Sequence, residues 1–309
     1  MDLVAIAPRI PVVGETIIGD QYFTEPGGKG ANQAYAAGLL GGSVSMLGRI
    51  GEDEFGREMK ENLKKANCNT DGIRAVKGVS GVALIFVAAD GQNSIIVVPG
   101  VNNDFAPEHI EQDSAFLKGA RAVLLQLENP APTVLAAAKA ARAAGARVIL
   151  DPAPAPQQAL PAELIRLVDI MTPNETEAAI LTGLAPGTLA PSEALRIGRK
   201  LQGMGAATVI VKLGSQGCVL VNKDKGKATL LPAPAVNAAD TTAAGDVFGA
   251  GLGVALSEGL DLIAACRFAN YAASLSVTRI GAQASVPTRK EVEEFAKRTP
   301  VGNPVDLAD

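Results

Sequence analysis

Residues 237–248, Asn-Ala-Ala-Asp-Thr-Thr-Ala-Ala-Gly-Asp-Val-Phe, set a carboxylate behind a run of small residues where a helix begins. Around Thr242, Ala243, Ala244 and Gly245, small side chains let backbone N–H groups face a ligand, and a helix N-terminus carries about half a positive charge. Such a place is an anion hole, suited to a phosphoryl group with charge developing on its oxygens. Asp246 enters the first helical turn, where a carboxylate can take a proton from a substrate hydroxyl while the hole holds the phosphate. Taken alone, the same residues also fit a plain helix cap.

Other polar stretches suit the same chemistry. Gly27-Gly28-Lys29-Gly30-Ala31-Asn32 opens a helix. Paired glycines permit close backbone approach, and Lys29 and Asn32, three apart, can donate to hydroxyls. A Gly-rich helix start with a solvated Lys is the plainer reading. Asn174-Glu175-Thr176-Glu177 starts another helix. Glu177 can hold Mg²⁺ through water and Asn174 can touch a phosphate, or the pair is a capping box. The turn Lys212-Leu213-Gly214-Ser215-Gln216-Gly217 either brings backbone groups to phosphates or is only a hairpin. Glu128 either bonds a sugar hydroxyl or caps the next helix. The loop Ile280 to Ser285 can ring a monovalent cation with carbonyls, though nothing in its residues requires one.

The elements that must position these groups fall into two kinds. Leu3–Ala7, Glu15–Thr24, Val82–Ala89 and Ser94–Val98 are β-rich and bounded by Pro, Gly and Asp90-Gly91 signals. They predict a small sheet packed over something else, a lid built from about residues 3–25 and 82–99. Helices are expected at Ala31–Leu40 and Glu52–Ala66, with a strand at Ser43–Ile50 between them. From Arg121 onward strands and helices alternate, which predicts a mostly parallel sheet covered on both faces. Its strands are Arg121–Leu127, Arg147–Leu150, Asp169–Thr172 and Thr208–Leu213. Gly217–Asn222 and Ala228–Pro232 form an antiparallel pair joined across Asp224–Gly226. Helices follow at Asp246–Glu258, Leu260–Val277 and Arg289–Lys297, and the tail after Thr299 is expected to fray. The polar stretches fall at the carboxyl ends of the strands, where such sheets bind ligands. The whole of 1–309 reads as one α/β domain.

Composition narrows the alternatives. With 48% hydrophobic and 19% charged residues the chain is not disordered. At net charge −4, and with no basic run interleaved with aromatics, nucleic acid is not an expected partner. The single His, His109, rules out a His-based triad and a multi-His metal site. Cys68, Cys218 and Cys266 lie far apart and read as reduced packing residues. There is no signal peptide pattern and no membrane-length apolar run, so the expected location is the cytoplasm. Neither a P-loop nor a complete dinucleotide fingerprint is present.

Gly27–Gln33, Thr172-Pro-Asn-Glu-Thr-Glu177 and Asp240–Phe248 resemble the signatures of the ribokinase family of carbohydrate kinases. Gly81–Val87, Gln126–Pro130, Asp151–Ala155 and Thr278–Pro287 also look like segments of that family, so the likeness runs to Thr299. It implies ATP-dependent phosphorylation of the 5-hydroxyl of D-ribose, with Asp246 as general base and Ala243, Ala244 and Gly245 as the anion hole. Ribose would be bound by Asp2, Gly27, Gly28, Lys29, Asn32 and Glu128. ATP would meet Asn174, Lys212, Leu213, Gly214, Ser215, Gly217 and Asn270, with Mg²⁺ held through water by Glu177. An activating K⁺ would sit among Asp240, Thr242, Ser276, Arg279, Gly281 and Ser285. The resemblance also implies a lid-to-lid homodimer. One departure stands out. The family opens with a strand ending in Gly-Ser-x-Asn-x-Asp-Leu, and Met1-Asp2-Leu3 matches only its end. The expectation is that the true start lies upstream. The rival readings are a relative acting on another sugar or a nucleoside, and a truncated sugar-binding form with little activity. Ala-Ala-Gly-Asp in place of Gly-Ala-Gly-Asp, with the full Gly-Gly-Lys-Gly-Ala-Asn, favours ribose.

Overall fold

The computed structural model describes residues 1–156, 158–222 and 228–308. The expected joint across Asp224–Gly226 lies outside them. Strand β1 (Asp2–Ala7) pairs antiparallel with β2 (Gln21–Glu25). Helix α1 (Lys29–Leu39), β3 (Gly48–Gly51), α2 (Glu54–Lys65) and β4 (Ile73–Val76) follow, and β3 and β4 pair in parallel. The chain then returns to the first sheet with β5 (Val82–Ala88) and β6 (Asn93–Val98), giving the order β2-β1-β5-β6. The Asp90-Gly91 turn makes the β5–β6 hairpin as expected, with Gly91 at φ 85°.

After α3 (Pro107–Gln112) comes the large sheet. Its first part runs β7 (Ala122–Leu125), α4 (Ala131–Ala143), β8 (Arg147–Leu150), α5 (Ala162–Leu167), β9 (Ile170–Met171) and α6 (Glu175–Leu181). Then come α7 (Pro191–Gly203), β10 (Thr208–Lys212), β11 (Cys218–Asn222) and β12 (Ala228–Leu231). The chain closes with α8 (Ala244–Ser257), α9 (Leu262–Ser276), α10 (Arg289–Arg298) and β13 (Val305–Leu307). The strands lie in sequence order from β7 to β13, parallel through β10 and antiparallel beyond it.

Successive residues of the inner strands feed two different cores. Val148 and Leu150 pack on the side of α4, α5 and α7, while Ile149 packs against α8 and α9. Val209 and Val211 repeat the pattern with Ile210 between them. Strands buried on both faces read as continuous apolar runs, which is why alternating β and α stretches were legible as this architecture.

Three expectations need correction, and one strand was missed. The tail after Thr299 does not simply fray: β13 pairs with β12, Leu230 opposite Val305, and covers ladder groups that β12 would otherwise expose. Of Glu15–Thr24, only the stretch from Gln21 is strand. Ser43–Ile50 narrows to β3 plus a lone bridge from Ser45 to Asn69. Strand β4 was not anticipated, because its four residues carry two arginine- and alanine-type positions that look like loop. Residues 2–7, which begin in the last residues of the family's opening motif, belong to the small sheet, and among the described residues no strand covers the outer edge of β7.

Candidate active site

Helix α8 starts where the backbone turns left-handed. Ala243 is its N-cap at φ 58°. The Ala244 amide donates to Thr241 O at 3.2 Å and Val247 donates to Ala243 O at 2.9 Å. The Ala243, Gly245 and Asp246 amides have no partner among the described residues. The expected hole of Ala243, Ala244 and Gly245 is therefore altered: Ala244 is spoken for, and the amide of Asp246 itself joins the open set.

The Asp246 carboxylate is buried at the centre of an amide network. Asn32 Nδ2 donates to Oδ2 and Gln33 Nε2 to Oδ1, each at 3.1 Å. Gln33 Nε2 also reaches Asp151 Oδ2 at 3.2 Å, and Gln126 donates to Gln33. Gln283 Nε2 holds Asn32 Oδ1 at 3.1 Å. Burial raises the Asp246 pKa to about 6; the nearby Lys29 charge and the Asn32 and Gln33 hydrogen bonds pull the other way, and Asp151 adds to the rise. A carboxyl poised there is mostly ionised at neutral pH yet basic enough to accept a proton.

Lys212 Nζ pairs with Asp151 Oδ1 at 2.8 Å, both side chains buried. Burial lowers the ammonium's pKa, but Asp151, Glu177 and Asp246 more than offset this and hold it above the ordinary lysine value. Its Nζ lies 3.1 Å from where a β-carbon at Gly245 would stand, so a permanent cation sits beside the open amides.

On the other side of Lys29, two carboxylates converge. The Lys29 amide donates to Glu128 Oε2 at 2.7 Å. A β-carbon at Gly27 would overlap the Asp2 carboxylate, and Gly28 caps α1 at φ 90°, so both glycines are required by the close approach and the turn. Burial raises the pKa of Asp2 and of Glu128 above the usual carboxylate range. These groups are acceptors suited to hydroxyls.

A cavity of about 530 Å³ opens from Lys29 and Asp246 toward Glu177, Lys212, Ser215 and Asn270. Asn174, Gly214, Gly217 and Ala243 to Gly245 also border it. Asn174 and Glu177 form the capping box of α6, with Asn174 N donating to Glu177 Oε2 at 2.8 Å and Glu177 N to Asn174 Oδ1 at 2.8 Å. The capping box is present, and its two residues also border the cavity. Leu213 has its side chain in the core and brings only its backbone to the turn. Asn270 lies on the wall, but its Nδ2 is donated to Leu231 O at 3.0 Å.

Asp240 collects Thr242 N at 2.9 Å, Thr242 Oγ1 at 2.7 Å and Gly281 N at 2.9 Å. Burial pushes its carboxyl up, but these hydrogen bonds win and hold it below the usual range. Ser276 and Ser285 donate their hydroxyls to Ala273 O and Ala282 O, which leaves their oxygens able to accept, while the Arg279 guanidinium turns away to Glu291. No group of three or more His, Cys, Asp or Glu side chains suited to a metal occurs among the described residues. A donor set of one carboxylate, carbonyls and hydroxyls fits a weakly held monovalent ion rather than a transition metal.

Gln33, Gln126 and Asp151 were not singled out as site residues from the sequence. The available signal was position: Gln33 follows Asn32, and Gln126 and Asp151 end parallel strands.

The pattern of the pfkB family carbohydrate kinases matches residues 1–289. The chain is 41% identical to a Haemophilus influenzae protein named ribokinase over 295 residues, covering 95% of this chain and 94% of that one. It is 42% identical to a Bacillus subtilis ribokinase over 296 residues, 96% of each chain. The solved structure of Arabidopsis thaliana ribokinase complexed with ribose and ATP superposes with a TM-score of 0.89 at 38% identity, covering 96% of this chain and 95% of that one.

Proposed function

The chain belongs to the pfkB family of carbohydrate kinases, and from that membership we propose that it transfers the γ-phosphoryl group of ATP to O5 of D-ribose. The observation that carries this reading is the buried Asp246 carboxylate beside unpaired α8 amides, between a carboxylate-lined pocket and a larger cavity. Ribose enters against Asp2, Gly27, Gly28, Lys29, Asn32 and Glu128, where acceptors outnumber donors and match a polyol. ATP lies along Asn174, Lys212, Gly214 to Gly217 and Asn270. Asp246 takes the O5 proton, O5 forms its bond to the γ-phosphorus, and the bond to the bridging oxygen breaks to release ADP. Charge that builds on the γ-oxygens meets the Gly245 amide and the Lys212 ammonium beside it.

Mg²⁺ neutralises the phosphates when bound. Glu177 fits a place in its water shell, because burial raises its pKa and a nearby cation would relieve that cost. K⁺ fits the loop of Asp240, Thr242, Ser276, Arg279, Gly281 and Ser285, where it would steady the approach to α8. We read 1–309 as one catalytic domain with a discontinuous lid, working in the cytoplasm where ATP is supplied.

The lid also supports a homodimer. Strand register puts Leu3, Tyr22, Leu84, Phe86, Ile96 and Val98 on the face opposite Asp2. Tyr22 and Ile96 are 65% and 56% exposed, an apolar surface that a second lid would cover.

The test is ATP consumption over ribose, 2-deoxyribose, fructose and adenosine, in K⁺ and in Na⁺. Ribose should give the highest kcat/KM, with phosphorus NMR placing the product phosphate on O5 and K⁺ exceeding Na⁺. Preference for another acceptor would replace ribose, and equal rates in the two salts would discard the cation loop.

A further inference from the structure

Lys212 and Asp151 stand at the carboxyl ends of β10 and β8, the two strands that flank β9. The Lys212 amide donates to Pro173 O at 2.9 Å, so its side chain crosses the end of β9 before Nζ meets Asp151 Oδ1 at 2.8 Å. That oxygen is the ammonium's only hydrogen-bond partner among the described residues, which leaves two of the three N–H donors of a lysine unused. Lys212 lines the nucleotide cavity, beside Gly245. A buried ion pair is weak evidence for stability, because removing two charges from water costs about as much as their attraction returns. Apolar side chains would join β8 to β10 as well, so folding alone does not account for this pair.

The other oxygen of Asp151 supplies a reason. Oδ2 accepts from Gln33 Nε2 at 3.2 Å, and the same nitrogen donates to Asp246 Oδ1 at 3.1 Å. Gln126 Nε2 donates to Gln33 Oε1, which fixes the way round that the Gln33 amide lies. Its two N–H bonds are thereby divided between two carboxylates. Asp151 is 3% exposed and Gln33 2%, so water does not replace these partners. An unbroken line of hydrogen bonds, Lys212 to Asp151 to Gln33 to Asp246, joins β10, β8, α1 and α8. At one end is a cation beside the open amides of α8, and at the other the carboxylate that faces the sugar.

We propose that Asp151 is a positioning residue for phosphoryl transfer: one of its oxygens holds the Lys212 ammonium beside Gly245, and the other, through Gln33, sets the orientation of the Asp246 carboxylate. This role rests on Asp246 being the base and on the phosphoryl group lying at Gly245. Asp151 touches neither reactant. Its charge opposes an incoming phosphate, so it adds nothing to nucleotide affinity; it fixes where the reacting partners are held. The charged groups around Asp246 are Lys29 of α1, Asp151 after β8 and Lys212 of β10, with Glu177 of α6 facing Lys212. Asp151 raises the Asp246 pKa. Lys212 is held in its charged form partly by Asp246, and the same attraction favours the Asp246 carboxylate.

The test is the pH profile of ribose-dependent ATP turnover for the parent, Asp151→Asn, Lys212→Gln and the double variant. Asp151→Asn nearly keeps the shape of the side chain. Its kcat at pH 7.5 should fall by about 10- to 100-fold, with ATP affinity within about threefold of the parent. Its acidic limb, at about pH 6 in the parent, should move down by about half a unit or more. Lys212→Gln should move the limb up. Once Lys212 is gone, the amide oxygen left at position 151 can serve Gln33 alone. Adding Asp151→Asn to Lys212→Gln should then cost no more than about threefold in kcat. If Asp151→Asn does not fold, the double variant, which leaves no buried charge unpaired, gives the same comparison against Lys212→Gln: its limb should lie lower. A purely structural Asp151 would lower the rate alike at every pH. An unmoved limb, additive losses in the double variant, or a loss confined to ATP affinity would overturn the role of Asp151 and leave the base standing. A parent with no acidic limb near pH 6 would withdraw the base, and the role of Asp151 with it.

Discussion

Asp246 is asked to be buried and charged together. Its pKa of about 6, raised chiefly by burial, makes this proposed base the group whose protonation should limit turnover in mild acid. We expect kcat/KM to rise tenfold per pH unit below about 6 and to level off above it. Gln33 is the lever on that profile, since it donates to Asp246 and to Asp151 with one nitrogen. Gln33→Glu would set a third carboxylate between them, and the acidic limb should move to higher pH; a limb that stays put would remove Gln33 from the tuning of the base. At this scale the sequence pointed to Asp246, Lys29, Asn32 and Glu128 from residue type at a helix start or strand end, and the fold brings Asn32 to Asp246 and the Lys29 amide to Glu128. It did not reveal that Asn32 bonds the base, nor the parts of Gln33, Gln126 and Asp151. Those depend on which side chains meet across 93 to 214 positions of chain, and local spacing carries none of that.

The start of α8 shows what an element needs from its cap. Ala243 holds a left-handed conformation that costs an L-residue about 1 kcal/mol. The Gly-Ala-Gly-Asp pattern of other carbohydrate kinases would put glycine there, which the backbone makes intelligible. Ala243→Gly should raise stability by roughly 0.5 to 1 kcal/mol in urea unfolding, less whatever flexibility glycine adds to the unfolded chain. A loss of stability would show that the left-handed turn is not what holds the loop. Elements with long apolar runs or strong turn residues were readable in advance, as β8, β10 and the Asp90-Gly91 hairpin were. Short edge strands were not: β13 has three residues and pairs with the open side of β12. Pairing partners, rather than propensity, decide such strands.

Across the molecule, two separated pieces of chain meet in the small sheet, and its outward apolar face sets the expected assembly. Sedimentation should show a dimer at micromolar concentration, and Leu84→Lys with Ile96→Lys should give a folded monomer. A wild-type monomer under those conditions would refute the lid-to-lid contact. The α/β architecture and this discontinuous sheet were legible from periodicity and turn signals. The partial match of Met1-Asp2-Leu3 to the family's opening motif had already implied an uncovered strand in the main sheet, and β7 is half-buried along its length. All of it serves one carboxylate at the mouth of α8. Raised above its ordinary value of 3.8, that carboxyl contributes stability in full below about pH 4 and loses the contribution as pH rises through about 6. Asp246→Asn should therefore be no less stable at neutral pH, and folding cannot be what the substitution removes. The decisive measurement is turnover of Asp246→Asn beside its affinity for ATP at pH 7.5. The expected result is a fall in kcat of about 10³-fold, with ATP affinity within about threefold of the parent. Turnover near the parent rate would contradict the assignment of the base and, with it, the mechanism.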